Sequence, residues 1–364
     1  MRIHYVTPGY LPAVGGVETH VRSLARLAVD HGHDVTVHTG GKRDERSEDS
    51  GVAVVRYRPR VSLGYYAAWF TPEVQASEVL HLHGYGFLPN DLAARRAPRS
   101  RLFHTLHHGI AQPRPGLTGP LRWSMYEAVW GHHTLRRCAR VFPSSPADVP
   151  ALRNRGIPPG RIEVMPTGLP DEAFENRKGE PPAQLPRDPF FLFVGRLSKD
   201  KGVDHLLAAL TKLGPSASLV IAGPDAGDER RLRAVAARLG VAGRAIFAGF
   251  VPEETKRWLF DNCVAYVLPS RYEAQGIGIL EAWARGRPVV ASAVGGVKYL
   301  VRHGVDGLLY PHGDVDALVS SLRQLAENAS MRASLGSEGR RRAWSEYRLQ
   351  VLGSRMMHLY ETGT

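Results

Sequence analysis

Short apolar runs recur from Arg2 to Ala291, and most are followed by a stretch with helical periodicity. Arg2–Thr7, Val35–Val37, Val79–His83 and Leu102–Leu106 read as strands. After the first, Val17, Val21, Leu24, Ala25 and Ala28 recur at helical spacing, and Gly32 ends that helix. A strand too apolar to show alternation is buried on both faces. Strands of that kind alternating with helices imply a parallel sheet covered by helices on each side.

The rhythm breaks once. The stretch ENRKGEPPAQLPRDP, from Glu175 to Pro189, carries Pro181, Pro182, Pro186 and Pro189 and almost no apolar residue. It reads as an interdomain linker spanning 176–189. The pattern then restarts. Phe190–Val194, Ser218–Ala222, Ala245–Ala248, Ala265–Leu268 and Pro288–Ala291 read as strands. Val203–Leu213 and Glu229–Leu239 read as helices, and a further helix from about Ile279 ends near Gly286. With 364 residues the chain has room for two domains. The expected fold is α/β, with two Rossmann-like domains (1–175 and 190–344) facing each other across a cleft. A final amphipathic helix, Glu338 to Tyr360, leaves 345–364 to return to the first domain. Ligands of open parallel sheets sit beyond the carboxyl ends of the strands, so the cleft is where chemistry is expected.

Composition narrows the function. At 43% hydrophobic and 23% charged residues, the chain is globular. It has no apolar run long enough to span a membrane. Cys138 and Cys263 are far apart and lack metal-ligand spacing, so a disulfide framework is excluded and a cytoplasmic location is the default. The net charge of +12 is spread over both halves rather than held in a tail or block, which disfavours nucleic acid. It remains compatible with phosphate-bearing small molecules and with the inner face of an anionic membrane.

Two segments carry the chemistry. In Phe193-Val194-Gly195-Arg196-Leu197-Ser198-Lys199-Asp200-Lys201-Gly202, a buried strand ends at Gly195, and Arg196 and Lys201 follow on a loop. A guanidinium fork and a mobile ammonium at the end of a central strand suit one anion. In Ser270-Arg271-Tyr272-Glu273-Ala274-Gln275-Gly276-Ile277-Gly278-Ile279-Leu280-Glu281, a strand is followed by a glycine turn that opens a helix. Gly276, Ile277 and Gly278 allow close backbone approach, and the free amides of the helix start suit a diphosphate. Glu273 precedes the turn and is placed to reach a sugar. Glu281, read as lying in the first helical turn, is placed to accept from ribose hydroxyls.

Together these segments resemble the family 4 glycosyltransferases of the GT-B fold, over nearly the whole chain. The resemblance is carried by GRLSKDKG, IAGPDAG (221–227), FAGFV (247–251), the Glu273/Glu281 pair and GRPVVASAVGG (286–296). In the first half it is carried by Gly15-Gly16-Val17-Glu18, Thr105-Leu106-His107 and MPTGLP (165–170). It implies a retaining enzyme that moves a hexose-type sugar from a nucleoside-diphosphate-sugar co-substrate to an acceptor hydroxyl, with no further cofactor and no metal. Arg196 and Lys201 would hold the diphosphate and Glu281 the ribose. Glu273 would hold the donor sugar, and the main chain at Phe250 and Val251 would meet the base. Gly15 and Gly16 would admit the diphosphate from the first domain, and His107 would sit near the reacting carbon. The chain departs from the family pattern at His108, Thr167 and Gln275, which bears on the sugar and acceptor pockets.

A sugar-nucleotide epimerase of the same fold and a non-catalytic nucleotide-sugar binding protein are the alternatives. Asp314-Val315-Asp316 resembles a metal-binding acidic triplet but is read as a helix cap. His104, His107, His108, His132 and His133 raise the question of a metal site. Neighbouring strand residues face opposite ways, so His107 and His108 are not expected to share an ion. Tyr65, Tyr66, Trp69, Phe70, Trp123, Tyr126 and Trp130 are read chiefly as packing residues. The other role open to them, beside Arg58, Arg60, Arg122, Arg136 and Arg137, is to line an acceptor site for a glycan, a lipid or a small molecule, or to rest on a membrane surface.

Overall fold

The structure is a computed structural model. It describes the chain apart from residues 14, 63–67, 76, 111–118, 176–180, 182–188 and 364; at 61, 62, 68, 119, 120 and 122 it describes backbone only. The chain divides into two units, Met1–Gly168 with Leu349–Thr364, and Leu169–Arg348.

The first unit contains β1 (Arg2–Val6), α1 (Gly16–Asp30), β2 (Asp34–Gly40), β3 (Glu45–Asp49), β4 (Val52–Tyr57), the short β5 (Val61–Ser62) and β6 (Ala68–Trp69), and β7 (Val79–His83). These are followed by α2 (Leu88–Arg96), β8 (Arg101–Thr105), α3 (Gly119–Tyr126), a π-helical stretch (Glu127–Gly131), α4 (His132–Arg137), β9 (Arg140–Phe142) and α5 (Val149–Asn154). Its main sheet has the order β3-β4-β2-β1-β7-β8-β9. All pairs are parallel except β3 with β4, an antiparallel edge that the sequence pattern does not suggest. β3 is Glu-Arg-Ser-Glu-Asp and mostly exposed. Charge on an edge strand leaves no apolar trace and discourages pairing with another chain.

The second unit contains β10 (Phe190–Val194), α6 (Val203–Lys212), β11 (Ser218–Ala222), α7 (Glu229–Arg238), β12 (Ala245–Gly249), α8 (Glu253–Asn262) and β13 (Ala265–Leu268). It continues with α9 (Ile277–Ala284), β14 (Val289–Ser292), α10 (Val297–Leu300), β15 (Leu308–Tyr310), α11 (Val315–Glu327) and α12 (Ala329–Glu346). Its six-stranded sheet, β12-β11-β10-β13-β14-β15, is parallel throughout. A core lies on each face. Phe191, Phe193, Leu207, Ile221 and Val267 point to one, and Leu192, Val220, Tyr266, Ile279 and Trp283 to the other. Residues 169–175 belong here because Leu169 and Phe174 are buried in the second of these cores.

The expected last helix is two helices, α12 and α13 (Leu349–Thr362). The Leu169 N–H donates to the Tyr347 carbonyl at 2.8 Å, an acceptor that a continuous helix would use four residues on. The break releases α13 to the first unit, where Met356, Met357 and Tyr360 join Ile3, Tyr5 and Leu24 in one core. Asp314 is the N-cap of α11, its Oδ1 accepting from the Ala317 N–H at 2.9 Å, as its sequence context suggests. Among the described residues no helix is long and apolar enough to cross a membrane.

Candidate active site

In the second unit three loops meet beyond the carboxyl ends of β10, β13 and β14. The first follows β10. Leu197 N–H donates to Pro224 O at 2.9 Å, and a tight turn over Lys199–Lys201 closes at Gly202, where φ is +65°. A methyl group at Gly202 would collide with the Pro269 carbonyl, so only glycine brings this loop against the one after β13. The Arg271 N–H then donates to Asp200 O at 2.8 Å and locks the two loops together. The third loop follows β14. The Gly296 N–H donates to Glu273 O at 2.8 Å, and Gly295, at φ +48°, lies against the same carbonyl.

These contacts deliver Lys201 to Glu273. Its Nζ donates to Glu273 Oε1, and Ser270 Oγ donates to the same oxygen at 2.9 Å. Gly276, at φ +90°, precedes α9. The amides of Ile277 and Gly278, as the first two of the helix, have no intrahelical acceptor. A side chain at Gly278 would strike the Tyr266 hydroxyl. Glu281 is the fifth residue of α9, so it lies in the second turn rather than the first. Its Oε1 accepts from Lys256 Nζ of α8 at 2.7 Å. Lys256 also pairs with Glu253 Oε2 at 2.8 Å. Burial opposes the Lys256 charge, but the carboxylates of Glu281 and Glu253 outweigh it and hold its pKa above the usual lysine value. Arg196 is exposed on the loop after β10, Phe250 is exposed beyond β12, and Val251 is half-buried.

In the first unit Gly15 and Gly16 open α1 beyond the end of β1, with Glu18 folded back against Gly15. His107 follows β8 in a left-handed conformation, φ +57°, uncommon for a residue with a side chain. Its Nε2 lies 2.9 Å from Nδ1 of His83, and the His20 ring meets it edge-on. Burial pushes the His20 pKa down to about 4 and holds those of His83 and His107 well below the ordinary imidazole value. All three are therefore neutral near pH 7. Each offers a nitrogen within 4.8 Å of the others, so His20, His83 and His107 are the described residues with the chemistry to hold a metal ion. They come from α1, β7 and the loop after β8, not from the neighbouring pair His107–His108.

Sequence reasoning missed Lys256, His20 and His83. Lys256 stands in no motif, and its partner Glu281 lies 25 positions away in sequence. His20 and His83 stand far from His107 in sequence and share no motif spacing with it.

A family model for glycosyltransferase family 4 matches residues 14–173, and one for glycosyl transferases group 1 matches 176–342. The chain belongs to glycosyltransferase family 4. It is 28% identical to a glycosyltransferase of Methanocaldococcus jannaschii, over 99% of this chain and 98% of the relative. It is also 28% identical to the phosphatidyl-myo-inositol mannosyltransferase of Mycolicibacterium smegmatis, over 100% of this chain and 94% of the relative. The fold matches that of Anabaena HepE, crystallised in complex with UDP-glucose, with a TM-score of 0.77, 20% identity and full coverage of both chains. This family 4 glycosyltransferase thus has the GT-B fold of two Rossmann-like units.

Of the aromatic residues singled out in the sequence, Tyr65 and Tyr66 lie outside the described residues. Phe70 is buried, and Trp123 packs between Tyr85 and Tyr126. Arg95 stacks on Trp130, and Trp69 is exposed.

Proposed function

We propose that the second unit binds a nucleoside-diphosphate-sugar and that the enzyme transfers its hexose, with retention, to a hydroxyl of an acceptor held by the first unit. The observation that carries this reading is the meeting of Lys201, Glu273 and the first amides of α9 at one end of the sheet, in a chain of family 4. A diphosphate arriving there competes with Glu273 for Lys201 and receives the Ile277 and Gly278 amides. Arg196, exposed beside it, completes the charge. Glu273, released from Lys201, turns to the sugar hydroxyls, and Glu281 to the ribose. Phe250 and Val251 meet the base.

Charge develops on the diphosphate as it leaves, so fixed cations and amides stabilise the transition state more than the ground state. The bond from the anomeric carbon to the phosphate oxygen breaks, and a bond from that carbon to the acceptor oxygen forms on the same face. The acceptor's proton passes to a phosphate oxygen. No metal is needed in this scheme, and His107 of the first unit serves as a neutral hydrogen-bonding group. The acceptor belongs to the glycan, lipid or small-molecule classes. A lipid acceptor, and with it a peripheral position on a membrane, is favoured by Leu121, Met125 and Val129. These exposed apolar residues recur every fourth position along α3 and the π-helical stretch.

Steady-state transfer with Lys201→Ala and Glu281→Ala tests the site. Each substitution is expected to lower kcat/KM by about 10²-fold or more, with the melting temperature of the fold retained. Transfer near the wild-type rate by both would remove the assignment. Product analysis with and without acceptor separates transfer from epimerisation.

A further inference from the structure

We propose that Lys256, Glu253 and Phe250 form a base-recognition subsite that selects guanine, so that the donor is a GDP-sugar. This deepens the proposed function and rests on its placing of the ribose at Glu281.

Glu281 fixes the position of the subsite. A ribose held at Glu281 lies next to Lys256, whose Nζ is 2.7 Å from Glu281 Oε1. The base is the part of the nucleotide that continues beyond the ribose, away from the diphosphate. It therefore reaches Lys256, Glu253 and the residues just after β12. Three features wait there. Phe250 is 67% exposed, a large ring left uncovered three residues before Glu253 and able to stack on a base. The Lys256 ammonium is largely covered, with 22% of its side chain exposed, and its two carboxylate partners hold it in place. An ammonium has three N–H donors, so one remains beyond those two pairings. The Glu253 carboxylate is the outer group, with 58% of its side chain exposed, Oε2 2.8 Å from Lys256 Nζ and Oε1 3.9 Å from Arg257 Nε, and each oxygen keeps a further lone pair for a ligand.

The subsite thus offers a donor and, beside it, an acceptor with two oxygens. Guanine matches both. Its O6 and N7 are neighbouring acceptors that suit a lysine. Next to O6 run N1–H and the N2 amino group, two parallel donors that suit a carboxylate accepting with both oxygens. Adenine and cytosine carry an exocyclic amino donor where guanine carries O6, which sets N–H against the ammonium. Uracil and thymine have an acceptor for Lys256 but only one N–H for Glu253, leaving the other carboxylate oxygen unmatched. Their single ring also covers less of Phe250.

Calorimetric titration of the full chain with GDP, UDP, ADP and dTDP tests the proposal. GDP is expected to bind at least about tenfold tighter than the other three. Glu253→Gln should weaken GDP about tenfold and change UDP and ADP less than about threefold, because it touches no group assigned to the ribose or the phosphates. Lys256→Met removes the partner of Glu281 as well, so it should weaken every nucleotide and GDP most. A thermal melt confirms that each variant is folded. UDP or ADP binding as tightly as GDP, or equal losses for GDP and UDP in Glu253→Gln, would overturn the guanine assignment and leave the diphosphate site standing. If none of the four binds, or if Lys201→Ala leaves all affinities unchanged, the donor-site reading itself falls and takes the guanine assignment with it.

Discussion

At the scale of single residues, the proposed donor site is held by glycines that permit backbone contacts more than by the charged side chains they position. Gly295 shows how. It adopts φ +48° and lies so close to the Glu273 carbonyl that a methyl group cannot be accommodated without moving one loop. The left-handed conformation adds about 1 kcal/mol for any residue but glycine. The Glu273 carbonyl also accepts from Gly296, so any displacement passes to the Glu273 side chain and its partner Lys201. Gly295→Ala is therefore expected to lower kcat/KM by about 10²-fold, since a shift of about 1 Å at a positioning group is enough for such a loss. Circular dichroism and thermal melting should show the second unit still folded. A variant with unchanged kinetics would mean that the Glu273 loop tolerates displacement and that Glu273 has no fixed role.

At the scale of elements, the helical stretch from Gly119 to Gly131 leaves Leu121, Met125 and Val129 exposed. A four-residue repeat puts the three side chains close to one face, and Arg136 and Arg137 of the following α4 are exposed. An apolar stripe accompanied by arginines suits the interface of an anionic membrane. Leu121→Ser with Met125→Ser should weaken binding to vesicles of phosphatidylcholine and phosphatidylglycerol at low salt about tenfold or more. The melting temperature should stay within a few degrees, because neither side chain is buried. Equal sedimentation of the variant and the parent chain with such vesicles would exclude the stripe as a membrane contact. Elements also decide how much of the molecule the sequence discloses. The buried strands β1, β7, β10, β11 and β13 were legible because a strand buried on both faces has to be an unbroken apolar run. The edge strand β3 was not legible, since its environment demands charge rather than apolarity. Nor was the break between α12 and α13, since a hydrogen bond from Leu169 causes it and Leu169 is far away in sequence. The site divides in the same way. Lys201, Glu273 and the glycine turn before α9 lie on contiguous motifs and could be read directly. The pairing of Glu281 with Lys256, and of His107 with His83, is created only when separate strands align.

At the scale of the whole molecule, the two units differ in a way that acid should expose. The first unit buries a group of imidazoles with few charged neighbours. His81 is held between Tyr360 and Thr105, and His38 lies 2.8 Å from the Tyr57 hydroxyl. Burial lowers the pKa values of His20 and His104 to about 4 and that of His38 to about 3, and holds those of His81, His83 and His107 well below the ordinary imidazole value. The sign follows from proton counting. Below pH 6.5 the unfolded chain protonates these rings while the folded unit keeps them neutral, so the unfolded state binds more protons and stability falls as pH falls. Each such ring contributes about 1.4 kcal/mol per pH unit between 6.5 and its own folded value. Several titrating together should exceed the stability of an ordinary domain well before pH 4. The second unit has fewer histidines, and of these His205 and His312 lie side by side near its surface. Differential scanning calorimetry from pH 7 to pH 4.5 should therefore show the transition of the first unit falling steeply while that of the second falls less. His38→Gln should flatten the slope for the first unit without altering the second. No shift of the first transition between pH 6.5 and 4.5 would mean that these rings take up protons as readily in the folded unit as in the unfolded chain, and parallel shifts of both would mean that they are not what sets the first unit's acid sensitivity. In the first case the neutral state that the proposed function assigns to His107 would be lost.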